Sequence, residues 1–320
     1  MRSRLVFAGL VALGACKEPP PAPEGLHQAS AYMVREFYAD DLTFGAGVQG
    51  FINWFNTEGQ DQLGVAADFE STDAFKVDTL TLADLAHLPL DAEILIDAKD
   101  DTMAARDPSL ARGVVSLAEM ACTWKEAEAL LARPDQDTVF AGDWEGYERT
   151  YLTDVDVFTD ASAADDYDAI PDRLDPFADD FDADRYAQTL LLTDNMADPT
   201  SVLTSNIEAY PMDLDLRHGR FEVDGEELGV LAILTYNRGA AWGASENAAL
   251  LQSYSLELNV ERPGGRTLRM LTVWAEPFDR SGLVPPDSPA ALVYAVNKSL
   301  ESSDRISQIC AGEIEIEDAP

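Results

Sequence analysis

Apolar residues in the first third of the chain recur at helical spacing. Tyr32, Met33, Phe37 and Tyr38, then Phe51, Ile52, Trp54 and Phe55, predict helix from Gln28 to about Gly64. Thr81 is placed to cap a short helix that Pro89 ends. Ser116 to Arg133 carries Leu117, Met120, Ala121, Trp124 and Leu130 on one side, with Cys122 in mid-helix, until Pro134 stops it. Residues 28–140 are therefore expected to be mainly helical. From Trp144 the period shortens to two. Tyr147, Tyr151, Val155 and Val157 alternate with polar neighbours, and Arg185 to Thr193 is a second strand. Leu214, Leu216, Phe221 and Val223 mark a third, in which a bulge at Gly219 would bring both pairs to one face. Asp224-Gly225 is a tight-turn signal leading into the apolar strand Leu228 to Tyr236. The clearest strand follows. Tyr254, Leu256, Leu258 and Val260 point one way; Ser253, Ser255, Glu257, Asn259 and Glu261 point the other. Pro263-Gly264-Gly265 turns the chain into a partner strand, Arg266 to Trp274. One face of this meander is expected to be buried and the other wet.

A last helix starts at Asp287 or Ser288, with Pro289 at its first position and a stripe of Leu292, Val296 and Leu300. Ser302-Ser303-Asp304 is expected to interrupt it before Ile306 and Ile309, and the acidic tail 312–320 to fray. The fold class is α+β: a helical N-terminal region, then an antiparallel, curved sheet and a C-terminal amphipathic helix over 141–311.

The leader has its own pattern. Arg2 and Arg4 precede an apolar run, Leu5 to Ala15, which is too short for the roughly 20 residues a bilayer span needs. Leu13-Gly14-Ala15-Cys16 resembles the lipobox of bacterial lipoproteins. The resemblance implies cleavage after residue 15, lipidation of Cys16 and, with Lys17 rather than Asp next, transfer to the outer membrane. The alternative is an ordinary cleaved signal with a chance cysteine. Lys17 to Glu24 holds four prolines in eight residues, which reads as a polyproline II tether over 16–27.

Composition narrows the partners. The chain is 46% hydrophobic, enough for a real core, and carries 22 Lys plus Arg against 59 Asp plus Glu, a net charge of −37. That surface repels nucleic acid and anionic headgroups, so the membrane is reached through the N-terminal lipid alone. Cys122 and Cys310 are an even pair in an exported chain. They predict one disulfide closing a loop of about 190 residues, worth about 4–5 kcal/mol in the chain-entropy model; the alternative is two buried thiols.

Tempting motifs fail on context. Gly45-Ala46-Gly47-Val48-Gln49-Gly50 spells G-x-G-x-x-G, but no buried strand precedes it, and small residues at a close helix contact explain it better. Nine aspartates crowd residues 165–184, and Asp180, Asp182 and Asp184 open like a calcium loop. Arg185 and Leu191 then stand where glycine and the acidic ligand are needed, so these three remain weak calcium candidates. His27, His87 and His218 are isolated, so no zinc set is visible, and no motif calls for a cofactor. Tyr236, Trp242, Tyr254 and Trp274 are the candidates for lining a ligand cavity on the concave side of the sheet.

The order of elements over 145–310 resembles the START-like, helix-grip fold, in which a curved sheet wraps a terminal helix around an apolar cavity. A nuclear-transport-factor-like cone fits nearly as well. Phe51-Ile52-Asn53-Trp54-Phe55, Tyr147-Glu148-Arg149-Thr150-Tyr151-Leu152-Thr153-Asp154, Gln252-Ser253-Tyr254-Ser255 and Val273-Trp274-Ala275-Glu276 together resemble lipoproteins of myxobacteria-like lineages, a family that implies no activity. The expectation is a non-enzymatic, lipid-anchored envelope protein holding a small apolar ligand or lipid between sheet and helix. One alternative is a structural or protein-interaction lipoprotein without a ligand, partnered by another envelope protein. Another is a hydrolase using scattered acidic residues.

Overall fold

The computed structural model describes residues 18–141, 144–151, 186–196, 209–243, 245–280 and 288–317. The first predicted helical stretch is two helices, α1 (Gly25–Arg35) and α2 (Asp41–Thr57). They separate at Asp40, whose carboxylate accepts the Thr43 N–H at 2.9 Å and so caps α2. The expected helix after Thr81 is instead a run of turns, in which the Asp84 carboxylate accepts both the Thr81 N–H (2.9 Å) and O–H (2.6 Å).

The region expected to be mainly helical also contributes four strands: β1 (Lys76–Val77), the hairpin β2 (Glu93–Asp97) and β3 (Thr102–Ala105), and β4 (Arg112–Met120). The helix predicted from Ser116 does not begin until α3 (Trp124–Leu131), where Thr123 and Glu126 form a reciprocal capping box. Cys122 lies in the short link between β4 and α3, not within a helix. A single turn, α4 (Gln136–Val139), follows.

The sheet is completed by β5 (Trp144–Tyr151), β6 (Tyr186–Met196), β7 (Ala209–Val223), β8 (Glu226–Tyr236), β9 (Ala241–Trp242), β10 (Ala248–Arg262) and β11 (Arg266–Asp279), and the chain ends in α5 (Pro289–Cys310). Among the described residues the main sheet has nine strands in the order β1-β4-β11-β10-β8-β7-β6-β5, with β9 beside β10, and every pairing is antiparallel. Asp224 (φ 52°) and Gly225 (φ 80°) form the two-residue turn between β7 and β8. The predicted strand positions Val155 and Val157 lie outside the described residues.

Gly219 is not a bulge. The β7–β8 register runs unbroken from Asp213↔Tyr236 to Val223↔Glu226. Leu214 and Leu216 therefore face one side, where they join a core with Leu231, Ile233 and α3, while Phe221 and Val223 face the other, with α2. Both sides of the sheet are covered.

The same correction applies to the β10–β11 hairpin. Tyr254, Leu256, Leu258 and Val260 face α1 and α2 as expected. The face expected to be wet is roofed by α5: Glu257 is 8% exposed, Asn259 0% and Arg269 4%. Arg269 grips Glu257 with two bonds of 2.9 Å and donates to Ser302 (2.7 Å) and Ser303 (2.8 Å) of α5. Asn259 donates to Glu257 at 2.9 Å, and the Ser116 and Ser299 hydroxyls meet across the same gap. Ser302-Ser303-Asp304 does not interrupt α5, because its serines turn toward this buried pair. Ser288 caps the helix, and Leu292, Val296, Ser299, Ser303 and Ile306 form its buried stripe.

Cys310, the last residue of α5, is bridged to Cys122 with the two Cα atoms 5.4 Å apart. The following tail does not fray up to Glu317: Ile316 packs on the α3-side core, and Arg133 donates to the Glu317 carbonyl at 2.7 Å. The bridge spans 188 positions, so it removes a large closure entropy from the unfolded chain. Replacing both cysteines by serine should lower unfolding free energy by about 4–5 kcal/mol in urea titration; a change below about 1 kcal/mol would show that α5 is held by packing alone.

Candidate functional site

Tyr236, Tyr254 and Trp274 stand side by side on consecutive strands. The registers Asp213↔Tyr236, Tyr236↔Tyr254, Tyr254↔Trp274 and Trp274↔Gly113 make one row across β7, β8, β10, β11 and β4. At the usual strand spacing, Trp274 and Asp213 lie about 15 Å apart. The row is packed core, not a cavity wall: Tyr236 and Tyr254 are 0% and Trp274 1% exposed. Each polar tip has a partner, as buried Tyr and Trp require. Trp274 Nε1 donates to the Asp78 carbonyl at 2.8 Å. Gly113 makes room for that ring, since a Cβ there would lie 2.5 Å from Trp274 Nε1. Tyr254 accepts from Arg106 and donates to Gln252, both at 2.9 Å, and burial raises its pKa. Trp242 is elsewhere. It sits on β9 against Phe278, with Nε1 donating to the Leu95 carbonyl at 2.8 Å.

The row ends in a buried charged cluster that the alternation on β7 did not announce. Asp213, Asp215 and Arg217 are each no more than 2% exposed, and all face α1 and α2. Asp215 accepts the hydroxyls of Tyr38 and, at 3.0 Å, Tyr236. Asp213 is bound by Arg238 at 2.5 Å. Arg217 donates to the Phe37 carbonyl (2.6 Å) and to Asp41 (3.0 Å), and lies 4.1 Å over the Phe44 ring. These bonds tie the corner between α1 and α2 to the middle of β7. The cluster holds charges in place, and its carboxylates are occupied by phenol and guanidinium donors.

His87 meets this cluster edge-on, 5.1 Å from the Tyr38 ring centroid. Its buried Nε2 has no hydrogen-bond partner. Burial pushes its pKa from 6.5 down to about 4, against a smaller upward pull from Glu36. The other histidines are apart from it and from each other: His218 pairs with Glu128 of α3, and His27 Nδ1 accepts the Asp78 N–H at 3.2 Å. Among the described residues no three His, Cys, Asp or Glu side chains gather as a metal site. The calcium candidates Asp180, Asp182 and Asp184, and the lipidation residue Cys16, lie outside the described residues.

The glycines of the G-x-G-x-x-G run are contact points. A Cβ on Gly47 would meet Met33 of α1 at 2.6 Å, and one on Gly50 would meet the Pro23 carbonyl at 2.6 Å. One glycine admits a helix, the other the proline segment.

Space for a ligand exists at the margin of the sheet. A pocket of about 780 Å³ opens between the start of α1, the end of α2, β1, β4 and the first turn of α5. Leu26, Trp54, Val77 and Leu292 supply its apolar part, and the acids Glu58, Asp73 and Asp78 and the cations Lys76 and Arg112 its charged part. Arg112 donates to the Ser109 carbonyl at 3.3 Å and forms no ion pair with a described carboxylate, though its charge acts on Glu276. No sequence signal marked this pocket, because its residues come from five separate elements.

The site and fold together define an α+β protein with one large antiparallel sheet, helices on both faces and a marginal pocket. No protein-family model matches the chain, and no curated protein sequence matches it. Among solved structures, truncated norcoclaurine synthase from Thalictrum flavum overlaps 62% of this chain and 92% of its own at 9% identity and a TM-score of 0.29. The Zhui aromatase/cyclase from a Streptomyces species overlaps 64% and 96% at 12% identity and a TM-score of 0.30. Overlaps this loose carry no argument about activity.

The His87 shift has a definite sign. Between its folded pKa of about 4 and its unfolded value of 6.5 the unfolded chain binds more protons, so stability falls as pH drops through that window. The full effect is up to about 3 kcal/mol. His87→Gln should flatten the dependence of melting temperature on pH between 6.5 and 4; an unchanged slope would mean the imidazole is not buried neutral.

Proposed function

We propose that the protein is a lipid-anchored protein of the cell envelope, carried at Cys16 to the outer membrane, with a binding rather than a catalytic role. The Leu13-Gly14-Ala15-Cys16 lipobox and the apolar leader before it support the anchor. The marginal pocket supports the binding role, and it is the observation that carries the proposal. Its volume, about 780 Å³, lies within the range of small-molecule sites. Its chemistry suits an amphipathic ligand, with an apolar body over Leu26, Trp54, Val77 and Leu292 and an anionic group at Arg112. On this reading the ligand sits at the sheet margin beside the start of α5, and the filled interior around Tyr236, Tyr254 and Trp274 supports that choice. A binding role also agrees with the commitment of the buried carboxylates Asp213, Asp215 and Glu257 to arginine and tyrosine partners.

Native mass spectrometry of residues 18–320, secreted behind a cleavable leader and incubated with envelope lipid extract, tests this. The expected result is an added mass released on denaturation. Arg112→Ala should weaken its retention tenfold or more, as losing a charged hydrogen bond implies. Ala74→Trp, which fills the pocket from an exposed position, should abolish retention without lowering the melting temperature. A clean apo mass before and after incubation would contradict the binding role.

A further inference from the structure

The proline segment, expected as a polyproline II tether, packs onto α2 at Pro23. Pro23 lies directly on Gly50, where a Cβ would come within 2.6 Å of its carbonyl oxygen and 2.7 Å of its ring. Pro19, Pro20 and Ala22 line a crevice of about 420 Å³ with Leu42, Gln49 and Gly225, between α2 and the β7–β8 turn. Gln49 binds that turn as well, accepting the Asp224 N–H at 2.6 Å. Leu26, the second residue of α1, is 5% exposed and anchors the other end of the segment in the core.

We propose that this docked segment clamps one end of the domain against the lipid bilayer, namely the crevice between α2 and the β7–β8 turn. The inference rests on the lipidation reading. Lys17, Glu18 and the exposed Pro19 separate Cys16 from half-buried Pro20. Four residue steps reach at most about 14 Å, whereas the nine steps from Cys16 to Gly25 would reach about 30 Å if the tether were free. The bilayer surface therefore lies within about 14 Å of the crevice. The β2–β3 hairpin, bound through Lys99 to Asn247 just before β10, is at the opposite end of the sheet, roughly 55 Å away along the strands. Charge does not supply the attraction, since Asp41, Glu222 and Asp224 line the same crevice and would repel anionic headgroups. The orientation is mechanical, set by how little chain is left free.

The full lipoprotein is reconstituted in phosphatidylcholine vesicles containing an acceptor-labelled headgroup. A donor fluorophore is placed through a ketone-bearing residue at Asp224 or at Asp100, both exposed. Energy transfer from position 224 should be several-fold more efficient than from position 100, and the ratio should not change between low and high salt. Gly50→Leu, which evicts Pro23, should bring the two efficiencies together. So should replacing Pro19, Pro20 and Pro23 by glycine, a change that keeps Gly50 and every residue of α2 and the sheet. Equal transfer from both positions in the unaltered protein, or no response to the tether replacement, would overturn the clamp. The intact mass reports lipidation separately. If no lipid is present, the lipoprotein reading fails, and coupling Cys16 to a maleimide lipid puts the clamp to the same comparison.

Discussion

Arg269 and Glu257 form an ion pair on a face where the sequence looks wet and the structure is dry. Two charges moved out of water cost several kcal/mol each unless every donor and acceptor is met. Here Glu257 takes two guanidinium bonds and one from Asn259, and Arg269 Nη1 donates to Ser302 and Ser303 of α5, which leaves the buried Asn259 Oδ1 without a partner. The helix can lie on this face because its serines are the partners that the arginine needs. A stripe of leucines in their place would leave guanidinium donors buried without acceptors.

The rest of the architecture depends on that roof. With α5 on one face and α1 and α2 on the other, the sheet has no open side over β4, β10 and β11. Its aromatic row is compressed into core, and the space left for a ligand lies at the margin, where α1, α2, β4 and α5 fail to close completely. The Asp213, Asp215 and Arg217 cluster repeats the principle on the other face. There the polar strand positions are covered by the α1–α2 corner, and backbone and side-chain acceptors of that corner hold the arginine. Both helical layers are thus keyed to the sheet by buried charge as well as by apolar packing, and the disulfide closes the α5 layer at its far end.

Much of this was legible where the signal is local. The β10–β11 hairpin, the Asp224-Gly225 turn, the Ser288-Pro289 helix start and the pairing of Cys122 with Cys310 all follow from neighbouring residues or from a count of two. What was hidden depends on distant chain. β4 reads RGVVSLAEM, buried on both faces, and without alternation such a strand cannot be told from a helix. Glu257 and Asn259 look solvated because nothing local tells of a serine-faced helix some 40 residues later. Gly219 reads as a bulge for the same reason: a strand with only one buried face needs Leu214 and Phe221 in phase. On a two-sided strand they need not be. The marginal pocket was illegible for a further reason, since a concavity is a property of how elements meet.

The most direct test is a double-mutant cycle in urea on Arg269→Met, Glu257→Leu and the pair together. If α5 desolvates this ion pair, each single substitution leaves a buried charge uncompensated and costs about 3–5 kcal/mol, while the double variant costs far less than their sum. Single losses below about 1 kcal/mol that simply add would mark an exposed surface pair, and would contradict the claim that α5 is keyed to the sheet through it.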